Sequence, residues 1–481
     1  MTFNNVSMTY PRLTPLMAPW VTSLISQQEL LDQAFQQYGS PLNIHHTPAF
    51  ADNYQSYVAV LQHHELRHQI FFARKANKCK AFVKEAQRIG CGIDTASYRE
   101  LQQCLELSFE VDQLVLTAAI KSEKVVRLAV SHQILIVVDN LDECILVNRI
   151  AQELRMSARI GVRVSGFHSG GQQLYSRFGF SLDQAMELII HQIGPDRMFE
   201  ALRFTGFHFH LNGYSWQERG TALIEVIQAI DALRERDIMT EFIDVGGGFL
   251  VNYLACKEEW HTFIETLQCA VRGQHVPITF LNTGLGFEMV HGQLHGQLQT
   301  YPYYNELPRE QFLEAMLSYQ NSQGEAVASL LRTRDIELRL EPGRSLVDQA
   351  GTTLAKVAFR KHDSQNNLLI GLEMNRTQMT SSSADFLIDP LLISSTVDTR
   401  SSEPTFGFLV GAYCLEQDIL LKRAVVLPRI PAIGDIVCFP NTAGYMMHFF
   451  ESEAHLFDLA TNLVLIHSED TQVPLQLIED I

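Results

Sequence analysis

Phe71-Phe72-Ala73-Arg74-Lys75-Ala76-Asn77 closes an apolar run, from Gln69 to Ala73, that reads as a buried strand, and a helical pattern over Lys78 to Ile89 follows at once. A lysine at a strand end is ordinarily a solvated surface residue. This one falls in a strand-to-helix turn, at the end of the βα unit where α/β barrels hold their chemistry. A partly desolvated amine there can lose its proton and form a Schiff base.

Outward from this run the text is regular. Apolar runs at 69–75, 91–95, 113–117, 134–138, 159–165, 204–210, 241–246 and 336–341 alternate with amphipathic patterns at 78–89, 97–106, 122–130, 141–154, 181–193, 217–234 and 257–272. That alternation is the βα signature. Eight strands, with no G-x-G-x-x-G after the first, predict an α/β fold of the (β/α)8 TIM-barrel type rather than an open doubly wound sheet. The barrel is expected over 66–344, with an insertion about 273–335 where the rhythm breaks and VPITFLNTG suggests an extra strand. Residues 1–65 read as a lead-in that packs partly on the second domain, with helical periodicity over Ser26–Tyr38 and a helix or strand at Tyr54–His63. After Arg344 short β-type runs separated by Gly, Pro and Ser predict a C-terminal β-rich domain over 345–481.

Composition narrows the function classes. The chain has 481 residues, 46% hydrophobic and 19% charged, with a net charge of −17. An acidic surface without a basic cluster argues against nucleic acid or an anionic membrane as partner. No apolar window reaches the length of a membrane span, and MTFNNVSMTYPRLTP lacks the pattern of a signal peptide. Eight scattered cysteines without C-x-x-C suggest neither disulfides nor a zinc ribbon, so a reducing cytoplasmic location and no metal are expected.

The strand ends carry the candidate chemistry. Asp94 follows the second strand in Gly92-Ile93-Asp94-Thr95-Ala96-Ser97, where Ser97 and Glu100 also form a capping-box pattern. Arg163 lies inside the fifth strand and needs an anionic partner there. His208 and His210 share one face of the sixth strand. They suit either a metal pair or an imidazole stacked on a flat ring, and the other strand ends offer Lys75, Asp94 and Glu341 but no further histidine, which favours stacking. Gly246, Gly247 and Gly248 follow the seventh strand and Glu341-Pro342-Gly343-Arg344 the eighth. Glycine backbone, an arginine fork and this position in a barrel together suit a phosphate.

In order and spacing these motifs resemble the fold-type III pyridoxal phosphate (PLP) decarboxylases, the group of diaminopimelate and ornithine decarboxylases, over roughly residues 65–450. The resemblance implies Lys75 as the Schiff-base lysine, His210 as the ring-stacking imidazole and Glu341 as the partner of the pyridine nitrogen. It implies the glycine turn Gly246–Gly248 and Arg344 as the phosphate cradle, with Gly343 in the turn beside it; Asp94 and Arg163 are placed by their strand positions to support the same pocket. Gly411-Ala412-Tyr413-Cys414-Leu415-Glu416-Gln417-Asp418 looks like the family's cysteine box, which implies that Cys414 protonates Cα across a homodimer interface. Ala443-Gly444-Tyr445 resembles the box whose tyrosine binds the phosphate.

Several positions depart from the pattern. Gly213 stands where the family carries a hydroxyl, Leu415 where it carries an acid, with Glu416 as a substitute substrate contact, and Arg74 where it carries a small residue. Asp389, in Phe386-Leu387-Ile388-Asp389-Pro390, stands where diaminopimelate decarboxylases carry arginine. An acid there suits a cationic or hydrogen-bond-donating substrate tail. The long lead-in and the insertion point to a specialised pathway, such as siderophore or other secondary metabolism. The expected activity is α-decarboxylation of an amino acid or amino-acid conjugate. The alternatives are an amino-acid racemase or epimerase, a metal-dependent barrel hydrolase using His208 and His210, and a non-catalytic PLP-binding protein. Racemases of this fold place arginine opposite the pyridine nitrogen, and Glu341 argues against them.

Overall fold

The structure is a computed structural model that describes residues 10–381, 386–394, 403–466 and 475–480. Residues 1–9 of the stretch read against a signal peptide therefore lie outside the described residues. Counting the main strands in order, β1 is Leu42–His45, β2 His68–Ala73, β3 Gly92–Thr95, β4 Leu114–Leu116, β5 Leu135–Val138, β6 Ala158–Ser165, β7 Leu202–His208, β8 Phe242–Asp244 and β9 Glu337–Leu340. Strands β2 to β9 pair in parallel in sequence order; β9 pairs with β2, which closes the barrel. All eight expected strands are present, within a few residues at each end.

The barrel interior follows from strand alternation. Phe71 of β2 points inward and meets Val115, Leu135, Val137 and Phe242 in a cluster of its own. Two glycines make room for these rings. A Cβ at Gly92 would lie 2.5 Å from the Phe71 ring, and one at Gly206 2.6 Å from the Phe242 ring. Arg339 caps the cluster with its guanidinium 3.8 Å from the centre of Phe242. The floor of the barrel is thus a filled core, and chemistry is confined to the carboxyl ends of the strands.

The second sheet is built by β10 (Gly351–His362), β11 (Leu368–Leu372), β12 (Leu391–Ile393), β13 (Thr405–Val410), β14 (Val425–Leu427), β15 (Ile436–Phe439), β16 (Thr461–Ile466) and β17 (Gln476–Glu479), together with β1. Its order is β14-β13-β11-β10-β1-β16-β17, and β15 pairs with both β10 and β12. The lead-in therefore supplies an interior strand. Helices Pro19–Ile25 and Gln28–Tyr38 cover this sheet with Trp20, Val21, Leu24, Leu31 and Phe35. Tyr54–His63 is the C-terminal part of helix Thr47–His63, opened by Pro48 in the first turn.

Within 273–335 the expected extra strand is absent. Thr279 makes a single bridge to Arg423, a 3-10 turn covers Phe280–Asn282, and a hairpin joins Phe287–Val290 to Gln293–Gly296. Helices Glu310–Leu317 and Val327–Thr333 then lead into β9, the first packing on helices Trp216–Arg234 and Thr47–His63. Among the described residues no helix is long and apolar enough to cross a membrane.

Asp348, between the barrel and the second sheet, accepts a hydrogen bond from Asn441 Nδ2 at 2.8 Å and lies 3.6 Å from Arg309. Burial pushes its carboxyl up to about 6, with Arg309 and Asn441 pulling back. The fold thus holds more protons than the unfolded chain between the ordinary aspartate range and pH 6, so this carboxyl's contribution to stability falls as pH rises. Asp348→Asn keeps the shape without the charge. It should gain on wild type by ~3 kcal/mol between pH 4 and pH 7, read from denaturant midpoints across that range; parallel pH profiles would refute the assignment.

Candidate active site

Lys75 lies in a 3-10 turn, Arg74–Ala76, that carries the chain from β2 toward helix Lys80–Ile89. Its Nζ donates to Asp94 Oδ2 at 2.7 Å. Asp94 ends β3 beside it, and Thr117, just past β4, donates its hydroxyl to the other Asp94 oxygen. Three successive strand ends thus hold one amine in one direction. The lysine side chain is 37% exposed, and it lines the two cavities that meet here. Burial pushes the amine toward neutrality, but the carboxylates of Asp94 and Glu341 outweigh it and hold the ammonium above its ordinary range. Asp94 is itself pushed up by burial and by Glu341, with Lys75 pulling it back.

Glu341 stands across the site, immediately after β9, and is buried. Its Oε2 faces His208 Nε2 at 3.4 Å, while Oε1 and His208 Nδ1 have no hydrogen-bond partner among the described residues. Burial pushes the Glu341 carboxyl up, and Lys75 and Arg163 offset part of that. A buried carboxylate oxygen without a donor is costly. It is satisfied by a ligand that brings an N–H to it.

His210, two residues past β7, lies against the glycine turn. A Cβ at Gly246 would come within 2.6 Å of the His210 ring, and one at Gly247 would lie 2.5 Å from the Glu341 carbonyl oxygen. Gly246 and Gly248 hold φ of +66° and +85°, where glycine is favoured. Burial, then Lys75 and Arg219, push His210 well below the ordinary imidazole range, so it is a neutral ring. Gly343 is equally close-fitting: a Cβ there would lie 2.6 Å from the Tyr445 hydroxyl.

Arg344 brings a fixed positive charge to this end. It donates to Tyr253 Oη at 2.6 Å and to the Gly444 carbonyl at 3.0 Å, and its guanidinium lies 4.5 Å from the Tyr301 ring centre. Together Lys75, His210, Tyr214, Gly247, Gly248, Tyr301, Glu341, Gly343, Arg344 and Tyr445 line a cavity of about 410 Å³. A second cavity of about 250 Å³ shares Lys75, His210 and Glu341 and adds Thr117, Arg163, Phe178 and His208. Arg163 faces Asp139 at 3.8 Å and packs over Phe178.

Some residues that the sequence did not single out also take part. Arg219 is fully buried and donates to the carbonyls of Gly213 at 3.0 Å and Gly247 at 3.2 Å, bracing the glycine turn from behind. Its position inside an amphipathic helix gave no sign of this. Tyr253 and Tyr301 are ordinary core aromatics by sequence. Arg74 also acquires a reason: it is buried and donates to Gln103, to the Lys78 carbonyl and to the Glu100 carbonyl. It ties the lysine turn to helix Tyr98–Glu106.

The expected substrate contact at Asp389, and the metal pair that was the alternative to stacking, find no support in the geometry. Asp389 forms an ion pair with buried Arg423, and its other oxygen accepts the Leu13 N–H at 3.0 Å. One carboxylate oxygen is held by Arg423 and the other by the backbone of the lead-in, so neither is left free within this chain to face a substrate tail. The His208–His210 metal pair also fails. His208 gathers with Asp244 and Glu341, with donor atoms within 4.8 Å of one another, but no such group among the described residues includes His210.

Cys414 and Glu416 are exposed on a loop apart from either cavity. Asp418 closes the loop: Gly411 N–H donates to its carbonyl and Tyr413 N–H to its carboxylate, both at 2.8 Å. A single chain does not bring Cys414 to Lys75.

The family described as pyridoxal-dependent decarboxylase, pyridoxal binding domain, matches residues 50–280. The chain is 27% identical over 474 residues to the uncharacterized protein y4yA of Sinorhizobium fredii, covering 97% of this chain and 96% of that one. It is 23% identical over 422 residues to diaminopimelate decarboxylase of Staphylococcus aureus, covering 85% of each. Among solved structures, diaminopimelate decarboxylase of Helicobacter pylori complexed with L-lysine superposes with a TM-score of 0.68 at 18% identity, covering 93% of this chain and 96% of that one.

Proposed function

The chain belongs to the fold-type III PLP-dependent decarboxylases, and from that premise we propose how its own residues divide the work of removing CO2 from an amino acid. The observation that carries the reading is the opposition of Lys75 and Glu341 across one cavity whose far end is lined by Gly247, Gly248, Gly343 and Arg344. The unpaired Glu341 Oε1 and the close-fitting glycines suit a flat ring with an N–H at one end and a phosphate at the other.

Lys75 would hold the cofactor's aldehyde carbon, with Asp94 taking and returning the amine proton. His210 would support one face of the ring. The N–H groups of the glycine turn, Arg344 and Tyr445 would hold the phosphate. Glu341 would keep a proton on the ring nitrogen. Bound pyridoxal phosphate supplies the sink for the electron pair left at Cα when CO2 departs. Cys414 would deliver the proton to Cα from the partner subunit of a homodimer, since one chain leaves it exposed and remote from Lys75.

For the substrate we propose an α-amino acid, or a conjugate of one, with a polar tail. The support is the likeness to enzymes named for diaminopimelate and to the Vibrio vulnificus lysine/ornithine decarboxylase complexed with putrescine. Asp389 lends no support to a cationic tail. CO2 release from diaminopimelate, lysine, ornithine, arginine and conjugated diamino acids tests the reading, and loss of optical rotation without CO2 would instead mark a racemase.

Cys414→Ala should keep the cofactor's visible absorbance and slow turnover by about 10²-fold, the size of a lost general acid. Mixed with an inactive Lys75→Ala chain and allowed to reassort, it should recover about a quarter of wild-type activity if two chains share each site. No recovery from exchanged subunits would place both groups in one chain.

A further inference from the structure

A second cluster lies at the join between barrel and second sheet, built from residues far apart in sequence. His45 ends β1, Cys79 directly precedes helix Lys80–Ile89, and His448 follows β15. One donor atom from each lies within 4.8 Å of the others. Cys79 Sγ is 3.0 Å from His45 Nε2, and these two residues are 2% and 0% exposed. Asp480 lies beside the thiol. Its carboxylate accepts the N–H groups of Lys80 at 2.7 Å and Ala81 at 2.8 Å and also bonds to the Cys79 thiol.

The hydrogen bonds of this cluster do not close. Asn462 Oδ1 faces three donors: Asn43 Nδ2 at 3.2 Å, His45 Nε2 at 3.2 Å and His448 Nε2 at 2.8 Å. One carbonyl oxygen has two lone pairs. His45 Nδ1, fully buried, has no partner at all among the described residues. If Asn43 and His448 satisfy Asn462, the Nε2 lone pair of His45 is left directed at the thiol. His448 Nδ1 is likewise a lone pair, met only by the Lys78 N–H at 3.4 Å.

We propose that His45, Cys79 and His448 bind a thiophilic divalent cation, zinc in the first instance, with the Asp480 carboxylate as fourth ligand. Thiolate, imidazole and carboxylate are the donor types that zinc takes in a four-coordinate site. Binding forms one metal–sulfur, two metal–nitrogen and one metal–oxygen bond in place of the cation's bonds to water, and releases the thiol proton to water, with no change of oxidation state. A cavity of about 390 Å³ lined by Thr47, Ala81, Lys84, Val464 and Asp480 offers an entry path. The metal would clip the second sheet to the first helix of the barrel, within a few residues of the lysine turn.

The PLP-loaded enzyme, equilibrated with zinc and freed of excess, is assayed for metal by mass spectrometry and for metal neighbours by X-ray absorption at the zinc edge. The expected result is about one zinc per chain, with one sulfur at about 2.3 Å and nitrogen or oxygen at about 2.0–2.1 Å. Cys79→Ser should bind zinc at least tenfold more weakly and lose the sulfur neighbour while keeping the cofactor's visible absorbance. Substoichiometric zinc in the wild type would overturn the proposal. So would zinc with no sulfur neighbour, which would place it at His208, Asp244 and Glu341. The wild-type spectrum decides the matter alone if the variant does not fold.

Discussion

Lys75→Ala should lose the lysine-bound absorbance of the cofactor, with turnover reduced by at least ~10⁴-fold, more than the loss of one general acid or base costs. Among the described residues Lys75 is the one lysine that lines the two cavities of the active site, and its Nζ is fixed by Asp94 rather than free to swing away. Removing it deletes the covalent tie and leaves Asp94 and Glu341 without the cation that both face. Those carboxyls, already pushed up by burial, would take up protons, so the variant should bind protons that wild type does not. The phosphate end is untouched, because Arg344 and the glycine turn make no contact that depends on Lys75. PLP should therefore still bind, without the lysine-bound absorbance, and added methylamine should restore part of that absorbance. A variant that kept its colour without added amine would transfer the role to another lysine.

How much of this was legible in the chain depends on the range over which each signal acts. Strands β2 to β9 announce themselves as short apolar runs between amphipathic ones, because burial on both faces demands it. Lys75, His210, the three glycines and Glu341-Pro342-Gly343-Arg344 were legible because each sits at the end of such a run. Position along one strand is a local property. Arg219 was not legible, since a guanidinium inside a helix looks solvent-facing until the glycine turn folds over it. Asp389 misled for the same reason: its partners Arg423 and Leu13 come from opposite ends of the chain. β1 was hidden in the lead-in because its pairing partners, β10 and β16, lie more than three hundred residues away. The His45, Cys79 and His448 cluster escaped a search for metal-ligand spacing for that reason too.

Glu341→Gln should lower kcat and kcat/KM together by about 10²- to 10³-fold, the pattern of an interaction made mainly in the transition state, while the bound cofactor keeps its colour. The amide fills the same volume and can still meet His208 Nε2 through its oxygen, so the surroundings need not move. What it cannot do is hold a positive charge on a ring nitrogen, and without that charge the sink for the departing electron pair weakens. Stability separates this from simple damage. Glu341 is buried beside Asp244, and burial with their mutual repulsion pushes the Asp244 carboxyl well up. Exchanging one of the two for a neutral group relieves that repulsion. The variant should therefore melt no lower than wild type, even as its turnover collapses. Glu341→Gln with wild-type kcat would mean that the ring nitrogen is not protonated from this side. A large fall in melting temperature alongside the lost activity would mean that the carboxylate serves the fold before the chemistry.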